Sequence, residues 1–160
     1  MASWGERLGA VVQTGRMTGL VVCVAVLVLA SIFGVVQAAR SGRLRSRPTD
    51  GAVRLSAAEI GAEMGERVTL LQFSTAVCQP CRATRRMLAE VAATVPGAVH
   101  VEIDAEARLE LVRRLEILRT PTVFVLDPTG RVVGRASGQP RRADVIAAIG
   151  KATGASITPS

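Results

Sequence analysis

The stretch VTLLQFSTAVCQPCRATRRML, residues 68–88, decides the fold. Its opening, Val68 to Ser74, is a short apolar run of strand length, which predicts a buried central strand. Its close belongs to a helix: from Arg82 to Thr94, Met87, Leu88, Val91 and Ala92 recur at helical spacing, with Val95 following, until Pro96-Gly97 stops the run. The turn TAVCQPC between them sets Cys78 and Cys81 at a strand-to-helix junction.

Working outward, Ser56 and Glu59 have the spacing of a capping box and predict a helix over 57–64. VHVEI, 99–103, alternates as a strand. Residues 106–115 place Leu109, Val112 and Leu115 at helical spacing, and TVFVL, 122–126, is a second buried strand. Asp127-Pro-Thr-Gly130 has turn chemistry and joins that strand to RVVGRAS as an antiparallel hairpin. A last helix over 141–152 closes the domain through Val145, Ile146 and Ile149. Strands that alternate with helices and end in a hairpin plus helix imply an α/β fold, a mixed central sheet flanked by helices.

Two cysteines separated by two residues at the start of a helix form an easily exchanged disulfide. The unpaired N–H groups of the helix N-terminus favour a thiolate on the first of them. Cys78 is therefore the expected nucleophile. Cys81, one turn along, is placed to resolve the mixed disulfide, and Pro80 sits in the first turn, where its missing N–H costs nothing. Arg82, Arg85 and Arg86 add positive potential or simply form a solvated face. The competing reading of Cys-x-x-Cys is half a zinc site. A tetrahedral site needs four ligands, and the chain offers only Cys23, in an apolar run, and His100 besides. No metal is expected, with a zinc shared by two copies as the formal alternative. His100 lies on a predicted strand, where a packed or surface histidine is the simpler reading; a proton-relay role is the alternative.

The 160-residue chain carries a formal charge of +7, unevenly placed: residues 1–50 hold six Arg against Glu6 and Asp50, while 51–160 hold fourteen basic and eleven acidic residues. With no Tyr, a single Trp and three Phe in apolar runs, stacking platforms for nucleic acid are missing, and no nucleic-acid partner is expected. Residues 19–39, GLVVCVAVLVLASIFGVVQAA, are uncharged. At about 1.5 Å per residue they span the roughly 30 Å core of a bilayer. They predict a single-pass transmembrane helix, with a cleaved signal peptide as the alternative; the run exceeds the roughly 7 to 15 residues of a signal core. Arg40, Arg43, Arg45 and Arg47 follow at once, opposed by Arg7 and Arg16, so the positive-inside rule puts the soluble domain on the cytoplasmic side of the plasma membrane. A start at Met17 in place of Met1 strengthens that assignment. The expected organisation is an N-terminal flank (1–18), the membrane helix (19–39), a basic linker broken by Pro48 and Gly51 (40–51), one soluble domain (52–152) and a frayed tail (153–160).

The segments LLQFSTAVCQPCRATRRML, HVEID and LRTPTVFVLDPTGRVVGRASGQ, in that order and spacing, closely resemble thioredoxins, over about residues 53–150. The resemblance implies the thioredoxin fold, behind one membrane helix, with a redox-active Cys78–Cys81 disulfide and no other cofactor. It implies a cis bond before Pro121 beside the redox pair. It implies too that Thr120 and Pro121 contact the substrate backbone and that Gly138 keeps the docking surface flat. Val77, Gln79 and Pro80, around the cysteines, join that substrate surface. This sequence departs from the family where the Trp before the first cysteine is Val77 and the Gly after it is Gln79. The buried acid near the preceding strand also has no clear counterpart, Gln72 being the only polar interior residue of VTLLQFS. Deprotonation of Cys81 then falls to water, the substrate or another group such as His100.

These residues predict a membrane-anchored thiol-disulfide oxidoreductase that reduces protein disulfides, drawing electrons from a donor the sequence does not name. Two alternatives stand beside it: an extracytoplasmic thiol reductase, and a non-catalytic thioredoxin-fold redox sensor or adaptor.

Overall fold

A computed structural model describes residues 4–40, 42–44 and 53–154, and the side chains of the first helix over 19–37. The chain divides into two compact units, 1–40 and 41–160.

The first unit is one helix, α1 (Trp4–Arg40). Gly19–Gln37 within it is long and apolar enough to cross a membrane, and its side chains are exposed. The helix is not confined to the apolar run, because the flank before it contains no proline to stop it. Ser31 Oγ donates to the Leu27 carbonyl at 2.7 Å, satisfying a hydroxyl inside the apolar run. Cys23 is exposed and unbridged.

The second unit holds α2 (Ala57–Ile60), β1 (Val68–Ser74), α3 (Gln79–Thr94), β2 (Ala98–Asp104), α4 (Leu109–Arg114), β3 (Thr122–Leu126), β4 (Val132–Ser137) and α5 (Arg142–Ala152). The four strands run in the order β2-β1-β3-β4, with β1 and β2 parallel and the other pairs antiparallel. All seven residues of β1 are buried, as expected of a strand covered on both faces.

Alternation along the strands divides the core. Leu71, Phe73, Phe124 and Leu126 pack with Ile60 of α2 and Leu111 of α4 on one face. Val68, Leu70, Val123 and Val125 pack with Leu88 and Val91 of α3 and Val145 and Ile149 of α5 on the other. Phe73 and Phe124 meet edge to face, 5.8 Å between centroids, and the buried Arg135 stacks on Phe124 at 5.0 Å. Arg135 also donates to the carbonyls of Leu115 and Glu116, holding the turn that leads from α4 to β3.

Two expected helices are shorter in the structure. The Ser56–Glu59 capping box forms in both directions, but α2 ends at Ile60 because Gly61 takes the left-handed conformation (φ 75°) and its N–H returns to the Ala57 carbonyl. The helix expected over 106–115 begins only at Leu109, because the Asp104 carboxylate accepts from the Glu106 N–H and turns the chain first. In the opposite direction, α3 begins at Gln79, three residues before the expected Arg82, so both site cysteines belong to its start.

Most of the expected linker and tail, residues 45–52 and 155–160, lies outside the described residues. Residues 42–44 of the linker lie along the outer side of β4. The Gly42 N–H donates to the Ser137 carbonyl at 2.9 Å, and Leu44 packs into the core beside Gly134. Gly42 has φ +79°, and a Cβ there would stand 2.0 Å from the Gln139 carbonyl oxygen, so only glycine fits.

Candidate active site

The site is assembled where β1 ends. After Ser74 the chain turns through Thr75–Val77 and enters α3 with Cys78 as the N-cap residue and Pro80 in the first turn. Cys78 and Cys81 are joined by a disulfide, with their Cα atoms 5.3 Å apart. The Cys81 N–H points at Cys78 Sγ, 3.2 Å away, and the first turn of α3 contains no acidic side chain. An N–H aimed at the sulfur and the positive end of a 16-residue helix both favour a thiolate at Cys78 over one at Cys81. Accessibility points the same way: Cys78 is half-buried, whereas Cys81 is 1% exposed.

The second side of the site comes from the loop before β3. The Thr120–Pro121 peptide bond is cis, Pro121 is buried, and Thr120 Oγ1 lies 3.3 Å from Thr75 Oγ1, so this loop lies against the turn that carries Cys78. The Gly138 N–H donates to the Pro121 carbonyl at 2.7 Å, tying the end of β4 to the same loop. The structure therefore brings together Cys78, Cys81, Thr120, Pro121 and Gly138. Gln79 and Pro80 are exposed on the first turn of α3, and Val77 is 90% exposed immediately before Cys78. Leu118, not singled out from the sequence, is 91% exposed in the loop before Pro121. An isolated leucine in a connecting segment carries no periodic signal that would mark it.

Beneath the disulfide lies Gln72, fully buried. Its Nε2 donates to the Cys81 carbonyl at 3.0 Å and to Ser74 Oγ at 2.7 Å. This amide occupies the interior position beside Cys81. The register of β1 and β2 sets a carboxylate, Glu102, opposite Gln72. Burial pushes the Glu102 carboxyl up, but hydrogen bonds from Arg85 and Ser74 and the Arg85 charge outweigh it and hold it below the usual range. Sequence reading passed over Glu102 because a glutamate on an alternating strand reads as solvent-facing. His100, the expected relay candidate, stands opposite Leu70, two register steps farther from the cysteines. Burial lowers its pKa, with Glu102 opposing and Arg85 assisting, so it is neutral at pH 7. None of its described contacts reaches the disulfide.

Among the described residues no three His, Cys, Asp or Glu side chains converge as a metal site. An open cleft of about 610 Å³ lined by Glu59, Glu106, Arg108, Leu109, Glu110 and Arg114 contains none of the site residues.

The sequence pattern of the Thioredoxin family matches residues 55–151. Thioredoxin H5 of Oryza sativa subsp. japonica is 38% identical over 65 residues, covering 41% of this chain and 47% of that protein. A thioredoxin H-type of Oryza sativa subsp. indica is 30% identical over 76 residues, covering 46% of this chain and 62% of that protein. The chain thus spans about half to three fifths of the length of these curated relatives. Among solved structures, a mutant thioredoxin from Halobacterium salinarum superposes with a TM-score of 0.50 at 21% identity, covering 59% of this chain and 80% of its own. That likeness concerns the fold alone.

Proposed function

Because this chain belongs to the thioredoxin family, we propose that it is a membrane-anchored thiol-disulfide oxidoreductase that reduces protein disulfides. The observation that carries the reading is the asymmetric disulfide at the start of α3, with one accessible sulfur capped by an N–H and one buried sulfur behind it. Cys78 thiolate attacks one sulfur of a substrate disulfide, forming a mixed disulfide and expelling a substrate thiolate. Cys81, losing its proton, then attacks Cys78 Sγ. The Cys78–Cys81 bond forms and the second substrate thiolate leaves, so that two electrons have passed to the substrate. A dithiol donor returns the pair to the reduced form. The exposed Val77, Gln79 and Pro80 on one side, and Thr120, Pro121 and Gly138 on the other, form the surface that receives the substrate backbone.

Gly19–Gln37 supports the anchor, and the Arg residues after it support a domain on the cytoplasmic side of the plasma membrane. Facing a cytosolic poise of roughly −220 to −320 mV, the pair would act as a reductant. Gln72 favours a second reading, a redox sensor or adaptor, because an amide cannot accept the Cys81 proton and release of the partner would be slow.

The test is reduction of insulin by the full chain in detergent with a dithiol donor. Turnover above that of Cys78→Ser supports the reductase, and none, with an intact fold, leaves the sensor. Labelling Cys78 and Cys81 in intact cells with an impermeant maleimide, in a Cys23→Ala background, tests the side. Labelling only after lysis fits the cytoplasmic assignment, and labelling from outside replaces it with an extracytoplasmic reductase.

A further inference from the structure

Gln72 is fully buried, and its two amide atoms are unequally served. Nε2 has two acceptors, the Cys81 carbonyl and Ser74 Oγ, whereas Oε1 is buried with no hydrogen-bond partner. The amide cannot be turned round to cure this, since a carbonyl can only accept and the atom facing Cys81 O must therefore be the nitrogen. Nor do the neighbouring donors serve it. Ser74 Oγ is taken up as the acceptor of Nε2, the Arg85 guanidinium is paired with Glu102, and the Thr84 hydroxyl donates to the Pro80 carbonyl. A buried acceptor without a donor is destabilising, so a native structure that keeps one needs a reason.

The structure in hand has the disulfide closed, the state in which neither sulfur carries a hydrogen. Reduction creates a new buried donor, the thiol of Cys81, on the residue whose carbonyl the Gln72 amide already holds. We infer that Gln72 Oε1 accepts a hydrogen bond from the Cys81 thiol, directly or through one buried water, in the reduced protein, making Gln72 a positioning residue that favours the dithiol over the disulfide. In the balanced step, two thiols of a donor RSH are oxidised to RSSR and the Cys78–Cys81 bond breaks. Of the two protons released by the donor, one is held on the Cys81 sulfur, facing Oε1, and the other passes to Cys78 or, where Cys78 is the thiolate, to solvent. The Nε2 bonds do not depend on a sulfur-bound hydrogen, so it is the oxygen that distinguishes the two states.

This inference rests on the proposed redox role of the pair but is read separately from turnover. The first readout is the S–H stretching band of the full chain carrying Cys23→Ala and Cys78→Ala, in which Cys81 is the sole thiol. With Gln72 present the band is expected at the lower wavenumber of a hydrogen-bonded thiol, and Gln72→Met should return it to the unbonded position. The second is the equilibrium of the otherwise unaltered chain with reduced and oxidised glutathione. There Gln72→Met should shift the balance toward the disulfide by about fivefold, the equivalent of one net hydrogen bond. A band at the unbonded position in the protein with Gln72 overturns the inference even if Gln72→Met fails to fold. So does an unchanged glutathione equilibrium in a folded variant. Failure of insulin reduction, by contrast, would count against the reductase reading and leave the S–H result standing.

Discussion

The hydroxyl oxygens of Thr75 and Thr120 lie 3.3 Å apart, joining the turn that leads into Cys78 to the loop that ends at Pro121 across 45 residues of chain. This is a direct side-chain link between the two halves of the proposed substrate surface. Thr120→Val keeps the shape and removes the bond, and should lower kcat/KM for insulin by about fivefold, the equivalent of one net hydrogen bond of about 1 kcal/mol. The loss should appear mainly in KM, because the cysteines themselves are untouched. Steady-state kinetics of the variant give the answer directly.

The two cysteines should separate cleanly by reactivity. After reduction, Cys78, half-exposed and facing the Cys81 N–H, should be alkylated at neutral pH well before Cys81, which is 1% exposed. Cys78→Ser should abolish turnover. Cys81→Ser should retain the first attack and accumulate a mixed disulfide with substrate, visible by mass spectrometry as a covalent adduct that a thiol reductant removes.

Glu59 ties α2 to α4, accepting from the Ser56 N–H and hydroxyl and pairing with Arg114. Chiefly through the Ser56 backbone hydrogen bond, then through Arg114 and the Ser56 hydroxyl, its carboxyl is held down to about 2, from an ordinary value of 4.5. Because the folded value is the lower one, the stabilisation is fully present above about 4.5 and is lost as the pH falls toward about 2. Glu59→Gln should cost about 1 kcal/mol at pH 7, most of it from the cap, since the exposed ion pair is screened. The deficit relative to the parent should vanish near pH 2, as read by denaturant unfolding at a series of pH values.

Arg135 is buried, stacks on Phe124 and donates to the Leu115 and Glu116 carbonyls. Arg135→Met keeps the aliphatic bulk but strands those carbonyls, and should destabilise the domain by about 2–3 kcal/mol. The turn after α4 should also loosen, seen as faster amide exchange over residues 115–119, while β1 retains its protection.

How far the chain was legible depended on whether neighbours in sequence or neighbours in space settle each residue. β1 and β3 fall on the expected bounds because each is a run of buried residues closed by turn-forming neighbours. The capping box was readable because its two partners are three residues apart. The early stop at Gly61 and the delayed start of α4 reflect competition between a turn and a weak helical period, in which one glycine or one aspartate side chain prevails. Gln72 was visible as a polar residue in an apolar strand, but its hold on Cys81 is made across a strand and a helix. Glu102 and Leu118 carry no local signal, since what distinguishes them is proximity to the end of β1 and to Pro121.

The short segment at Gly42–Leu44 has a consequence for how copies of the protein meet. β4 is the last strand in its sheet, and a bare last strand offers its backbone groups as a template on which a second chain can add. Here the Gly42 amide takes up the Ser137 carbonyl and Leu44 covers the adjoining apolar surface, so the chain shields its own border from self-association. A version cut to begin at residue 52 would keep every cysteine of the redox pair and yet uncover that border. It should dimerise or aggregate with rising concentration where a version that begins at residue 41, also without the apolar helix but keeping Gly42–Leu44, does not.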